Sequence, residues 1–148
     1  MQKNENFVDF VLLKFVMSIF CKVMMKKILI VEDEVILKEV LKDELTDAGY
    51  EVQTVSTGKE CLQILDKEPT ISLIIMDIKL PDISGLQLLE KITQKNYNIP
   101  IIMCTAYDSF QHEYQVWLST EISKIIADYI VKPVDLEELR RKVKSIIG

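Results

Sequence analysis

From Lys26 onward the chain alternates short β-branched runs with stretches whose apolar residues recur every three or four positions, and the alternation repeats five times. Short apolar runs bounded by turn residues suit buried strands, and the longer spacing suits one face of a helix. Strands are predicted at Ile28–Val31, Glu51–Thr54, Leu73–Met76, Ile101–Cys104 and Tyr129–Val131. The first, third and fourth are nearly all apolar, as central parallel strands covered on both faces must be. Polar residues beside Val52 mark the second as an edge. Helices are predicted from Leu37, Val40, Leu41, Leu45 and Ala48, then from Cys61, Leu62 and Leu65, then from Leu86, Leu89 and Ile92. Gly49 ends the first of these. Leu136, Leu139, Val143 and Ile146 share one face of a last helix, with Asp135 as its N-cap. The pattern predicts an α/β fold, a doubly wound five-stranded parallel sheet with helices on both faces.

Residues 7–24, FVDFVLLKFVMSIFCKVM, stand outside this pattern. Asp9, Lys14 and Lys22 interrupt them, so no uncharged run approaches the ~20 residues that a bilayer crossing requires. Lys3 is countered by Glu5 and Asp9, and no small-residue cleavage site follows, which argues against a secretory signal. Lys14, Ser18 and Lys22 recur every four residues, so a helix here would carry one polar stripe and could lie on a membrane or pair with a second copy. Met24-Met25-Lys26-Lys27 directly precedes a strand, as a start codon would. Residues 1–24 therefore read as a mis-assigned extension, as an amphipathic or dimerising helix, or as a membrane anchor. Membrane contact or a homodimer would depend on that segment, and the domain proper is expected at residues 25–148.

The chain has 148 residues, 49% hydrophobic and 28% charged, as expected of one compact domain able to bury a full core. The last predicted helix runs to the end of the sequence, so no output domain is expected. A net charge of -5 argues against a nucleic-acid partner or an anionic membrane surface. Cys21, Cys61 and Cys104 are odd in number and widely spaced, which suggests neither a disulfide framework nor a zinc site. They suit a reducing, cytoplasmic location.

In an open parallel sheet, ligands bind beyond the carboxyl ends of the strands, where the winding direction reverses. Glu32 and Asp33 follow the first strand and Asp77 follows the third, so three carboxylates converge if those strands are neighbours. Like charges that close repel unless a cation joins them. Oxygen ligands in small number suit Mg2+, which bridges carboxylates to phosphate, and a carboxylate beside it is a competent nucleophile toward phosphorus. Taken alone, Asp33 could instead be a helix N-cap and Glu32 a solvated acid. Thr105 and Lys132 end the fourth and fifth strands, and a hydroxyl with an ammonium could hold phosphoryl oxygens there. A cis bond between Lys132 and Pro133 would be one way of aiming the ammonium inward.

These residues match a known family. ILIVEDE at 28–34, IIMDIKLPDISG at 74–85, CTA at 104–106 and YIVKP at 129–133 make the segment from about Lys26 to Gly148 resemble the bacterial response-regulator receiver domain, over five-sixths of the chain. The resemblance implies a flavodoxin-like, CheY-like sheet of order 2-1-3-4-5. It implies phosphorylation of Asp77 by a sensor histidine kinase or phosphotransferase. It also implies Mg2+ bound by Glu32, Asp33, Asp77 and the backbone carbonyl of Lys79, with Thr105 and Lys132 on the phosphoryl oxygens. Tyr129 falls at the family's aromatic switch position, moving with Thr105. Pro81 and Gly85 match the family's turn after the phosphorylated strand, where glycine is explained by a backbone conformation that a Cβ would penalise. Downstream targets would bind the face made by the helix before the fifth strand, that strand and the last helix.

One stretch departs from the family. Between Thr105 and Lys132 the chain is longer than usual by roughly one to two helical turns. Phe110, Tyr114, Trp117, Leu118, Ile122 and Ile125 keep helical spacing, which predicts one long helix serving as core, as docking surface, or as both. His112 reads as an exposed helix residue. Lys79 and Tyr107 flank the path of an attacking water, which implies slow to moderate self-hydrolysis. On this reading the chain is no enzyme acting on a separate substrate, since it catalyses only its own phosphorylation and dephosphorylation. A haloacid-dehalogenase-like phosphatase is disfavoured because Lys79 stands where its second aspartate would be. A flavin- or nucleotide-binding module is disfavoured because Gly49, Gly58, Gly85 and Gly148 form no phosphate-cradling loop.

Overall fold

The computed structural model describes residues 5–106 and 124–148. Five strands, β1 (Lys27–Val31), β2 (Glu51–Val55), β3 (Ile71–Asp77), β4 (Ile101–Ala106) and β5 (Ile126–Lys132), form one sheet of order β2-β1-β3-β4-β5. Every neighbouring pair is parallel. The helices among the described residues are α1 (Glu5–Met24), α2 (Val35–Asp47), α3 (Gly58–Lys67), α4 (Gly85–Gln94) and α5 (Leu136–Ile147). The sheet is doubly wound, as the sequence pattern predicts, and β2 is an edge.

Strand side chains alternate between the two faces, so each central strand feeds two cores. Leu29, Val31, Ile74, Met76, Ile101 and Met103 pack against Cys61 and Leu65 of α3 and Leu88, Leu89 and Ile92 of α4. Ile28, Ile30, Leu73, Ile75, Ile102 and Cys104 pack against Leu41 and Leu45 of α2 and Leu139 and Val143 of α5. Covering both faces excludes water from β1, β3 and β4, which fixes the strand ends relative to one another.

Local signals set the helix ends. Thr57 caps α3 by accepting from the Glu60 N–H, and Ser84 forms a reciprocal capping box with Gln87 on α4. Asp135 caps α5, as expected, by accepting from the N–H groups of Glu137 and Glu138. Gly49 follows α2 with φ of +98°, a conformation that favours glycine.

Several expectations are corrected. Val40 is exposed, and so is Ala48, which caps α2, so the buried stripe of that helix is Leu41 and Leu45 with Leu37 partly covered. On α4 the fully buried leucine besides Leu89 is Leu88, while Leu86 is only partly buried. β5 begins at Ile126, and Ile125, predicted as helical, lies in the turn before it, its carbonyl accepting from the Ile101 N–H. Tyr107, Phe110, His112, Tyr114, Trp117, Leu118 and Ile122 lie outside the described residues.

No helix among the described residues is long and apolar enough to cross a membrane. Along α1, thirteen large apolar side chains from Phe7 to Met24 stay exposed. The carboxyl end of this helix meets the domain across a groove of about 400 Å³ bounded by Phe20, Cys21, Met24, Tyr50 and Gly148.

Candidate functional site

The strand register brings the chemistry together. Val31 is level with Met76, Asp77 with Cys104, and Ala106 with Lys132, so the residues that end β1, β3, β4 and β5 open at one edge of the sheet. Glu32 continues β1 by donating its backbone N–H to the Val55 carbonyl. The N-cap of α2 is Glu34, whose side chain makes no capping bond, so Asp33 does not serve as the cap. The segment 32–34 instead brings the Glu32 and Asp33 carboxylates toward Asp77, with the Glu34 N–H donating to Glu32 Oε1 at 3.0 Å.

Glu32, Asp33 and Asp77 each offer a carboxylate oxygen within 4.8 Å of the others. Glu32 and Asp77 are buried, whereas Asp33 opens to solvent. Lys132 lies between the buried pair, donating to Asp77 Oδ2 at 2.9 Å and to Glu32 Oε2 at 3.0 Å. The Lys79 N–H donates to Asp77 Oδ1 at 3.2 Å. The Lys132–Pro133 bond is cis. Thr105 is fully buried at the end of β4, and its hydroxyl makes one long contact of 3.4 Å to the Ala106 carbonyl. Tyr129 is half-buried against the core between the sheet, α3 and α4.

Electrostatics here are unbalanced. Burial pushes the Glu32 carboxyl above its usual range, and the Asp77 charge adds to this, while the Glu34 N–H and the Lys132 ammonium offset it only in part. Burial works against the Lys132 charge, yet Asp77 and Glu32 outweigh it and hold the ammonium above its ordinary range. Burial pushes the neighbouring Cys104 thiol up to about 12, so it stays protonated at neutral pH and is no rival nucleophile to Asp77. With all groups in their ordinary charge states, three carboxylates face one ammonium, an excess that a divalent cation would cancel. Oxygen donors only, with Asp33 open to water, are the set that Mg2+ prefers. The residues present fit that ion.

Gly85 is confirmed as necessary, though not for its own φ. A Cβ there would lie 2.7 Å from Ile78 Cα and 2.9 Å from the Asp77 carbonyl oxygen, so glycine permits α4 to start directly against the end of β3. Sequence reasoning missed Asp82, which accepts from the N–H groups of Gly58 and Lys59 at 2.9 Å each. Only the unusual glycine at the start of α3 hints at such a close approach.

Three carboxylates and one ammonium thus share an acidic hollow at the carboxyl edge of a doubly wound parallel sheet. The chain belongs to the response regulator receiver domain family, whose model matches residues 28–144. The alkaline phosphatase synthesis transcriptional regulatory protein PhoP of Bacillus subtilis is 35% identical over 124 residues, covering 84% of this chain and 49% of that protein. Transcriptional regulatory protein BasR of Escherichia coli is 35% identical, covering 82% of this chain and 52% of that protein. The chain thus spans about half the length of the curated relatives it matches. Among solved structures, a receiver domain from Clostridium thermocellum superposes with a TM-score of 0.73 at 26% identity, covering 83% of this chain and 94% of that one. Response regulator TrrA from Thermotoga maritima, in complex with Mg2+-BeF, gives 0.69 at 37% identity, covering 82% and 99%. CheY4 of Vibrio cholerae gives 0.72 at 26% identity, covering 83% and 99%. Receiver domains are phosphoacceptors of two-component signalling that bind Mg2+ at this acidic pocket.

Asp33, the carboxylate of the three without a cationic partner among the described residues, should feel the excess charge most simply. Two like charges about 4 Å apart in a water-rich setting cost on the order of 1 kcal/mol. In divalent-free buffer Asp33→Asn is therefore expected to stabilise the fold by about 0.5–1 kcal/mol in urea unfolding. Added Mg2+ should erase that advantage; a destabilised variant in divalent-free buffer would contradict an over-charged site.

Proposed function

We propose that Asp77 accepts a phosphoryl group from a sensor histidine kinase or phosphotransferase, with Mg2+ held by Glu32, Asp33, Asp77 and the Lys79 carbonyl. The reading rests on one observation, the gathering of three carboxylates, two of which the Lys132 ammonium bonds. An Asp77 oxygen attacks phosphorus as the bond from phosphorus to the donor breaks, and the donor keeps the electron pair. The product is a mixed anhydride on Asp77. When bound, Mg2+ supplies neutralisation of the excess negative charge.

The chain's own groups do the rest. Lys132 already bonds Asp77 and has only to shift its ammonium toward the new phosphoryl oxygens. Thr105, whose hydroxyl makes only a long 3.4 Å contact among the described residues, donates to a phosphoryl oxygen as well. Tyr129 then responds to movement of Thr105, which carries the state of the site to the β5–α5 face. Phosphorylation-controlled protein contacts there, or onward phosphotransfer, pass on the signal in the cytoplasm. The domain acts on no separate substrate, and no direct nucleic-acid contact is assigned to residues 25–148. That last point concerns this unit alone, because the relatives are named as transcriptional regulators and are about twice its length.

Incubation with acetyl phosphate and Mg2+ is expected to add one phosphoryl group, seen by intact mass and lost on Asp77→Asn. No adduct on the wild type, or an unchanged adduct on the variant, would remove Asp77 as acceptor.

The surface of α1 supports a second role. Its apolar side chains from Phe7 to Met24 are uncovered, and a second copy laid against them would remove that surface from water. α1 is read as a homodimer contact. Light scattering should show the full chain as a dimer and a chain beginning at Met25 as a monomer; equal masses, or a native protein that starts at Met24 or Met25, would end this reading.

A further inference from the structure

The segment between β3 and α4 carries Lys79, one residue beyond Ile78 and two beyond the acceptor Asp77. Its base is closed twice. The Gly85 N–H donates to the Ile78 carbonyl at 2.6 Å, and Lys79 forms an isolated antiparallel bridge with Ser84. Its tip is fastened to a different element. Asp82 accepts from the Gly58 N–H through Oδ1 and from the Lys59 N–H through Oδ2, both at 2.9 Å.

Those two N–H groups belong to the first turn of α3, where a helix has donors but no acceptors of its own. Thr57 satisfies the next, that of Glu60, at 3.1 Å. The cap of α3 is therefore shared between a local residue and a carboxylate 24 positions away. Gly58 leaves room for the neighbouring Ile83 side chain, whose Cδ1 and Cγ1 would lie 2.6 Å from a Cβ there. An anion at a helix N-terminus is favoured by the helix dipole, so the fastening needs no burial.

We infer that Asp82 is a positioning residue for the divalent-ion site, clasping the Lys79 segment to α3 so that the Lys79 carbonyl and the Asp77 carboxylate keep their relative placement. The inference rests on the phosphoacceptor reading above. A segment closed at its base and free at its tip can tilt as a unit; the clasp removes that tilt before an ion arrives.

The test compares two lesions in one helix cap. Asp82→Ala frees the segment, while Thr57→Ala weakens α3 from the other side and leaves the segment alone. Mg2+ affinity is measured on the full chain by titration of amide chemical shifts. Asp82→Ala should raise the Kd for Mg2+ by roughly three- to ten-fold, up to the lower end of what loss of a hydrogen-bond partner to a metal ligand costs. Its acetyl phosphate reaction should require correspondingly more Mg2+, with a smaller change in rate at saturating Mg2+. Thr57→Ala should lose comparable thermal stability with its Mg2+ Kd within about two-fold of wild type, since that residue caps α3 without touching the segment. Asp82→Asn, which retains one acceptor oxygen, should fall between and carries the comparison if the alanine variant does not fold. An unshifted Kd in the Asp82 variants, or the same rise in Thr57→Ala, overturns this inference alone. A wild type that binds no Mg2+ overturns the phosphoacceptor reading with it.

Discussion

Three carboxylates held within 4.8 Å of one another are the constraint around which this domain is organised. Water would disperse such a cluster, and a flexible loop would let it spread. Here the sheet prevents that. Glu32 and Asp77 emerge from adjacent strands whose backbones are hydrogen-bonded in register and covered on both faces, so neither can retreat. Lys132 reduces the repulsion by bonding both, yet it brings one positive charge to three negative ones. On the proposed function, that residual charge would draw in a divalent cation, and through it a phosphoryl group whose own oxygens would otherwise be repelled.

The fold around the hollow serves that placement. Alternating side chains give β1, β3 and β4 two apolar faces, and the helices packed on them leave the carboxyl edge open. Where the chain leaves that edge it does so under local control. Glu34 starts α2 without using its side chain as a cap, which leaves Glu32 and Asp33 for the site. Gly85 lets α4 begin hard against the Asp77 carbonyl, and Ser84 with Gln87 closes its first turn. Asp82 ties the intervening segment to α3.

Much of this was legible in the sequence, for reasons that differ between residues. Apolar runs long enough to be buried on both faces identify β1, β3 and β4, and a group that directly follows such a run must stand at the strand end; hence Glu32, Asp33, Asp77 and Lys132 could be placed together before any coordinates. Helical periodicity gave less. Val40 fits the apolar stripe of α2 but faces solvent, because spacing of three or four tolerates a broader stripe than the sheet can cover. Ile125 fits helical spacing after Ile122 yet belongs to the turn that leads into β5, since the pairing of β4 with β5 starts at Ile126 and takes precedence over local pattern. The role of Gly85 was right and its cause was not: close approach of backbone, rather than φ, excludes a Cβ. Asp82 was invisible because its partners lie 24 positions away in another helix, and no period links them.

The central claim is that Asp77 receives a phosphoryl-shaped group only when a divalent ion joins the carboxylates. Fluorine NMR of the full chain with beryllium fluoride, a tetrahedral mimic of that group, tests it most directly. Protein-bound signals are expected when Mg2+ is present and should vanish when Mg2+ is chelated or Asp77 is replaced by Asn. Bound signals that persist without Mg2+ or in Asp77→Asn, or none at all from the wild type with Mg2+, would contradict the account.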